Sequence, residues 1–123
     1  MELSSKEKGN LTELQCITAF YKLGYQVSIP YGENSRYDFI ADVNGKLIRV
    51  QVKTSNTKRA AQGAISFATA STRVNSTTNI THKYTKNEID YFATYWEDKC
   101  YLIPIEETAS REKTLRFEPP ANG

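Results

Sequence analysis

Four side chains in this sequence can do chemistry together: Asp38, Gln51, Lys53 and Glu13. A hairpin gathers the first three. Arg36 to Val43 and Lys46 to Lys53 are strand-like runs. Asn44-Gly45 between them suits a two-residue type I′ turn, because both residues tolerate positive φ. With those two residues as the loop, Val43 faces Lys46, Asp42 faces Leu47, Ile40 faces Arg49 and Asp38 faces Gln51. Opposed residues share a sheet face, with Cβ atoms roughly 5 Å apart. Lys53, two along from Gln51, lies on the same face, diagonal to Asp38. The other face carries Tyr37, Phe39, Ala41, Ile48, Val50 and Val52, and so belongs to the core. A carboxylate beside an amide oxygen suits a hard cation such as Mg²⁺, which takes oxygen ligands and keeps waters. The ammonium beside them can hold an attacking water or balance phosphate charge. The plainer alternative is a surface: any hairpin with one wet face opposes polar residues, and Asp–Lys diagonals are common there.

Glu13 stands at the border of an apolar helical stripe, Leu11, Leu14, Ile17, Thr18 and Tyr21. With Asn10 as N-cap, Glu13 can close a capping box, or it can point into a site at the helix–sheet junction; the two roles are compatible. Gly24 ends this helix, and Tyr25 to Ile29 read as a short strand before the hairpin. Residues 54–64 read as a loop, and the Ser/Thr-rich stretch 65–81 as one or two strands. Thr85 and Glu88 fit a capping box opening a second helix, with Ile89, Phe92, Ala93 and Trp96 as its apolar stripe. Cys100 to Ile105 read as a final strand; residues 106–118 carry no clear pattern. This order predicts a single α/β domain over 1–123 with a mixed sheet, residues 1–8 and 118–123 being frayed ends.

The scarce residues exclude most other chemistry. There are two cysteines, Cys16 and Cys100, and one histidine, His82, too few for a structural zinc site. Neither GxGxxG nor GxxxxGK[ST] occurs. Sixteen Lys and Arg against fourteen Asp and Glu give a net charge of +2, which neither proves nor excludes a nucleic-acid partner. The absence of a long apolar run and of an apolar leader core predicts an intracellular, cytoplasmic protein with no membrane partner.

A helix bearing Glu13, then Tyr37-Asp38-Phe39, then Val50-Gln51-Val52-Lys53-Thr54 resembles the PD-(D/E)XK nuclease core, an αβββαβ arrangement with a mixed central sheet flanked by helices. Lys8 to Leu14, Val27 to Gly32, Arg36-Tyr37-Asp38, Asp90-Tyr91-Phe92 and Tyr101 to Ile105 look like its group I intron-encoded homing endonuclease branch of cyanobacterial type. The resemblance spans roughly residues 8–105 and implies a site-specific double-strand DNA endonuclease. On that pattern Asp38 is the metal-binding aspartate, Gln51 takes the place of the Asp or Glu, Lys53 is the lysine and Glu13 the helix carboxylate. The implied cofactor is Mg²⁺, with Mn²⁺ able to substitute, held by Asp38, Gln51 and the Val52 carbonyl, with help from Glu13. Tyr37 stands where the pattern has proline. Gln51 keeps an oxygen but removes one negative charge, which leaves open a DNA-binding relative that does not cut. A Holliday-junction resolvase-like or restriction-type nuclease is the other alternative. The single histidine counts against an HNH nuclease, and no LAGLIDADG or GIY-YIG signature is present.

A nuclease must also hold its substrate. Arg36, Lys58, Arg59, Arg73, Lys83 and Lys86 are candidates for phosphate contacts, and Asn56, Gln62, Asn75 and Asn79 for reading bases. The polar segment 65–84 has the composition of a β-ribbon that enters a major groove. A single small module covers about 600–1,000 Å² of DNA. A rare, long site therefore calls for a symmetric homo-oligomer: a tetramer on the resemblance, a dimer as the smaller alternative. Tyr91, Tyr95 and Trp96 are candidates for that interface.

Overall fold

The computed structural model describes residues 2–74, 79–108 and 111–117, with the backbone alone for 71–74 and 79–82. Helix α1 (Ser5–Lys22) opens the chain. Strands follow as β1 (Gln26–Ser28), β2 (Phe39–Val43), β3 (Lys46–Val52), β4 (Ala64–Ala68), β5 (Ala70–Val74), β6 (Asn79–Lys83), β7 (Tyr91–Trp96), β8 (Lys99–Pro104) and β9 (Glu112–Arg116). The main sheet runs β1-β2-β3-β7-β8; β3 and β7 are parallel and the other neighbours antiparallel. Two antiparallel pairs stand outside it, β4 with β9 and β5 with β6.

The predicted hairpin register holds from Val43–Lys46 to Phe39–Val50, but the expected Asp38–Gln51 pair falls outside the ladder: the Asp38 N–H donates to the Val50 carbonyl and the Asp38 carboxylate accepts from the Val52 N–H. Phe39 pairs with Val50, Ile40 with Arg49, Asp42 with Leu47 and Val43 with Lys46. Asn44 and Gly45 both have positive φ, 55° and 87°, as a type I′ turn demands, and the Gly45 N–H donates to Asp42 Oδ1 at 2.9 Å. Phe39, Ala41, Ile48, Val50 and Val52 form one core with Cys16, Phe20 and Ala93. The opposite side of the sheet packs Phe92 and Ile103 with Phe67 of β4 and Leu115 of β9.

Three further expectations are corrected. The helix starts at Ser5, not after Asn10, so residues 5–8 are not a frayed end. Ser4 and Glu7 make a complete capping box: the Glu7 N–H donates to Ser4 Oγ at 3.2 Å and the Ser4 N–H to Glu7 Oε1 at 2.9 Å. That box supersedes the one expected at Asn10 and leaves Glu13 free of capping.

The buried face of α1 is Thr12, Cys16 and Phe20, whereas Leu11, Leu14 and Tyr21 of the expected stripe are 45%, 61% and 72% exposed. Small residues let the helix lie close to the sheet. A Cβ on Gly9 would make only ordinary van der Waals contact with Thr54 Oγ1, at 3.9 Å, so the close approach rests on Thr12 and Cys16. Thr12 Oγ1 donates to the Lys8 carbonyl at 2.9 Å and lies 3.4 Å from Thr54 Oγ1. Phe20 then meets Phe39 edge-on, with ring centroids 5.3 Å apart.

The second helix does not form. Only half of the Thr85–Glu88 box forms, and it closes a single turn: the Thr85 N–H and hydroxyl both donate to Glu88 Oε1, at 3.0 and 3.1 Å, while the Glu88 N–H donates to the Thr85 carbonyl at 2.9 Å. Residues 91–96 are strand β7, with Phe92, Ala93 and Thr94 consecutively buried. A strand covered on both faces reads as a continuous apolar run, and its aromatic residues favour strand over helix. The switch is made by Asp90. Its carboxylate accepts from Arg49 N, Nε and Nη2 at 2.8, 3.1 and 3.2 Å, and its own N–H donates to the Arg49 carbonyl at 2.9 Å. These bonds fasten the start of β7 beside β3.

Candidate active site

The antiparallel ladder between β2 and β3 ends at Asp38. The Asp38 N–H still donates to the Val50 carbonyl at 2.8 Å. The next donor, the Val52 N–H, is accepted by the Asp38 carboxylate at 2.7 Å. This bond holds the acid over the end of β3, where Gln51, Val52 and Lys53 follow one another. The Lys53 backbone is held in turn by β7, its N–H donating to the Ala93 carbonyl at 2.9 Å. Asp38, Gln51 and Lys53 are all half-buried, and so is Glu13.

The electrostatics suit a cation. Burial pushes the Asp38 carboxyl up from its ordinary value, and the Val52 N–H and the Lys53 charge only partly offset this. Glu13 is also pushed up, first by burial and then by the Asp38 charge. The Asp38 charge thus acts on Glu13, which stands within electrostatic reach of it. Two carboxylates that disfavour ionisation near each other are relieved by a positive ion between them.

The donor set fits a hard ion with oxygen preference. Among the described residues there is no cluster of three His, Cys, Asp or Glu that could hold a metal. The site instead offers two carboxylates, the Val52 carbonyl and the Gln51 amide. The Gln51 Nε2 lies 3.5 Å from the Val52 carbonyl oxygen. A half-turn of the amide sets its oxygen beside that carbonyl at no steric cost. Oxygen-only donors, two of them neutral, match Mg²⁺ better than a softer metal.

A ring of residues behind the site was not anticipated from the sequence. The Arg36 guanidinium carbon lies 3.8 Å from the centroid of the Tyr84 ring, and Lys53 Nζ lies 4.9 Å from the same centroid. Arg36 Nε pairs with Glu88 Oε2 at 3.1 Å. Arg36, expected among the DNA contacts, is thus half-buried beside the site. No spacing in the sequence announces Tyr84, which follows a strand of another sheet. Asp90 had a signal, an acid directly before an aromatic run.

The remaining substrate candidates spread outward. Lys58 and Arg59 are exposed and line a cleft with Asn56, Ser66, Glu112 and Thr114. Asn56 Oδ1 is already engaged, accepting from the Lys58 N–H at 3.0 Å. Lys83 and Lys86 are exposed, and Lys86 Nζ pairs with Glu106 at 3.2 Å. Asn75 and the side chains of Arg73 and Asn79 lie outside the described residues. Tyr91 and Tyr95 are half-buried and pack on the core rather than presenting whole rings outward.

Comparison with known proteins agrees with this geometry. No curated protein matches the chain. Among solved structures it is similar to that of a bacterial homing endonuclease, I-Ssp6803I, with a TM-score of 0.82 and 28% identity, over 95% of this chain and 85% of that one. A family model described as PD-(D/E)XK endonuclease matches residues 3–123. With nearly the whole sequence matched, and with the acid, amide and lysine brought together at the end of one hairpin, this chain belongs to the PD-(D/E)XK endonuclease family.

Proposed function

We propose that this protein is a site-specific double-strand DNA endonuclease of the intron-homing kind, acting inside the cell with Mg²⁺, which Mn²⁺ can replace. The reading rests above all on Asp38: its carboxylate is fixed by the Val52 N–H where Gln51, the Val52 carbonyl and Lys53 converge. Asp38, the Gln51 oxygen and the Val52 carbonyl would hold the ion, with Glu13 completing the set directly or through a water. The bound ion supplies neutralisation of the scissile phosphate and a water of lowered pKa. Lys53 Nζ donates to the attacking water or to a non-bridging phosphate oxygen and offsets charge that grows in the transition state. Glu13 accepts a hydrogen bond from a water and so orients it. The products carry 5′-phosphate and 3′-hydroxyl ends.

Substrate is held by Lys58, Arg59, Lys83 and Lys86, with Arg73, Asn75 and Asn79 on or beside the β5–β6 hairpin as the ribbon that reads the groove. The protein acts as a homo-oligomer, a tetramer in preference to a dimer. The outward Leu11, Leu14, Tyr21 and Leu23 of α1 and its C-cap support self-association, since exposed apolar residues in a row are unusual on a monomer.

The test is cleavage of a DNA panel, linear duplexes carrying intron-insertion sequences plus a four-way junction, with Mg²⁺ or with EDTA. Metal-dependent cutting of one linear duplex, lost in Asp38→Ala and Lys53→Ala, is the expected result. Preference for the junction would make it a resolvase-like enzyme. Binding without cutting would mean that Gln51 marks a DNA-binding relative.

A further inference from the structure

We propose that Tyr84 is a positioning residue for Lys53: its ring holds the ammonium at the carboxylate site and makes that position depend on the β5–β6 hairpin. This inference rests on the nuclease reading above.

Tyr84 directly follows β6. Its ring is set by the core, edge-on to the buried Phe92 with centroids 5.3 Å apart and planes at 85°. Two cations lie over that ring, Arg36 at 3.8 Å and Lys53 at 4.9 Å from its centroid, both inside the range where an aromatic face attracts positive charge. Arg36 is clamped from its other side by Glu88, which the Thr85 turn immobilises. A lysine stem is flexible, and its head visits many positions unless something holds it. Here the ring, fixed by its packing on Phe92, supplies a surface that holds the ammonium.

The hairpin enters through its attachment. Among the described residues, β5 and β6 pair with each other and with no other strand. One end is tied by the Thr69 N–H, which donates to the Arg111 carbonyl at 2.8 Å. The other end passes straight into Tyr84. A duplex that grips the hairpin therefore pulls on the residue under the catalytic lysine.

The test uses the full chain and the linear duplex that the wild type cuts. In Tyr84→Leu, the single-turnover cleavage rate is expected to fall about 3- to 30-fold, the range of a cation–π contact. Affinity for the same duplex, measured in Ca²⁺ so that no cutting occurs, is expected to stay within about twofold, and Tyr84→Phe should restore the rate. The ε-methylene resonances of Lys53, read by ¹³C-edited NMR, should carry a ring-current displacement in the wild type and Tyr84→Phe but not in Tyr84→Leu. They should also move when the duplex is added. A wild-type rate in Tyr84→Leu, an equal loss in Tyr84→Phe, or no ring-current displacement in the wild type would overturn the proposal. So would a loss of affinity as large as the loss of rate, or Lys53 resonances that ignore the duplex. If the wild type cuts nothing, or Lys53→Ala cuts normally, the nuclease reading fails instead, and the resonances still decide whether Tyr84 holds Lys53.

Discussion

Asp90→Ala is expected to cost this protein about 2–4 kcal/mol of stability, a value built from what Asp90 holds. Its carboxylate accepts one backbone and two guanidinium donors from Arg49, at 2.8, 3.1 and 3.2 Å. Hydrogen bonds to charged groups are each worth about 1.5–3 kcal/mol, and an orphaned N–H costs about 1–3 kcal/mol more. The side chains of Arg49 and Asp90 are 30% and 33% exposed, so solvent screens part of the charge and the simple sum is too large. Spread over a domain of this size, the loss lowers Tm by roughly 8–15 °C. The pH dependence gives an independent check. Arg49 holds the Asp90 carboxyl below its ordinary value. A depressed folded pKa contributes stability that is present above the unfolded pKa of about 3.9 and is lost as pH falls through the folded value. The gap between wild type and Asp90→Ala, followed by urea denaturation from pH 7 to pH 3, should therefore narrow in acid. A double-mutant cycle with Arg49→Met should return a coupling of about 1–3 kcal/mol. A Tm change below about 2 °C, or a gap that does not narrow in acid, would refute the idea that this pair fastens β7 to β3.

Three further outcomes follow from the site and the surfaces. Asp38→Asn should abolish cleavage while raising the stability of the metal-free protein by about 0.5–2 kcal/mol, read by thermal melting. The buried carboxyl has a raised pKa, so its charged form is a burden at neutral pH that eases as pH falls. In the native protein Cys100 should react with a thiol reagent and Cys16 should not, both reacting once urea is added. Both cysteines are free; Cys16 is fully buried, and its thiol is pushed up by a hydrogen bond with Cys100 and by burial, whereas that hydrogen bond lowers Cys100, which is half-exposed. Leu14→Glu should shift the molecule toward smaller species in light scattering with less than about 0.5 kcal/mol change in stability, because Leu14 is 61% exposed on α1. An unchanged mass would remove that helix face from the interface.

The site was legible where spacing is rigid. A two-residue turn fixes register, so the ladder from Val43–Lys46 to Phe39–Val50 could be counted from Asn44-Gly45, with Asp38 one residue beyond its end. The α1 face was misread because hydrophobicity alone ranks Leu11 and Leu14 above Thr12 and Cys16. Close approach to the sheet favours the smaller side chains. The β7 segment was misread because Phe92, Ala93 and Trp96 fit a helical period as well as a covered strand. The bonds between Asp90 and Arg49 that decide the matter are long-range and invisible to a local pattern. Tyr84 reaches Lys53 only through the packing of one sheet on another.

The parallel pairing of β3 with β7 also sets an order of assembly. Hairpin β2–β3 closes over two residues, an event of about 1–10 µs, whereas β3 meets β7 only after the whole stretch 53–90 has been brought back on itself. Contacts so distant in sequence slow folding and leave a half-made sheet with an open edge at β3. On a ribosome, the hairpin that carries Asp38 and Gln51 is complete while the strand that anchors the Lys53 backbone has yet to be made. The molecule gains its nuclease geometry only when β7 docks, so a truncated chain lacking β7 cannot hold the lysine in place.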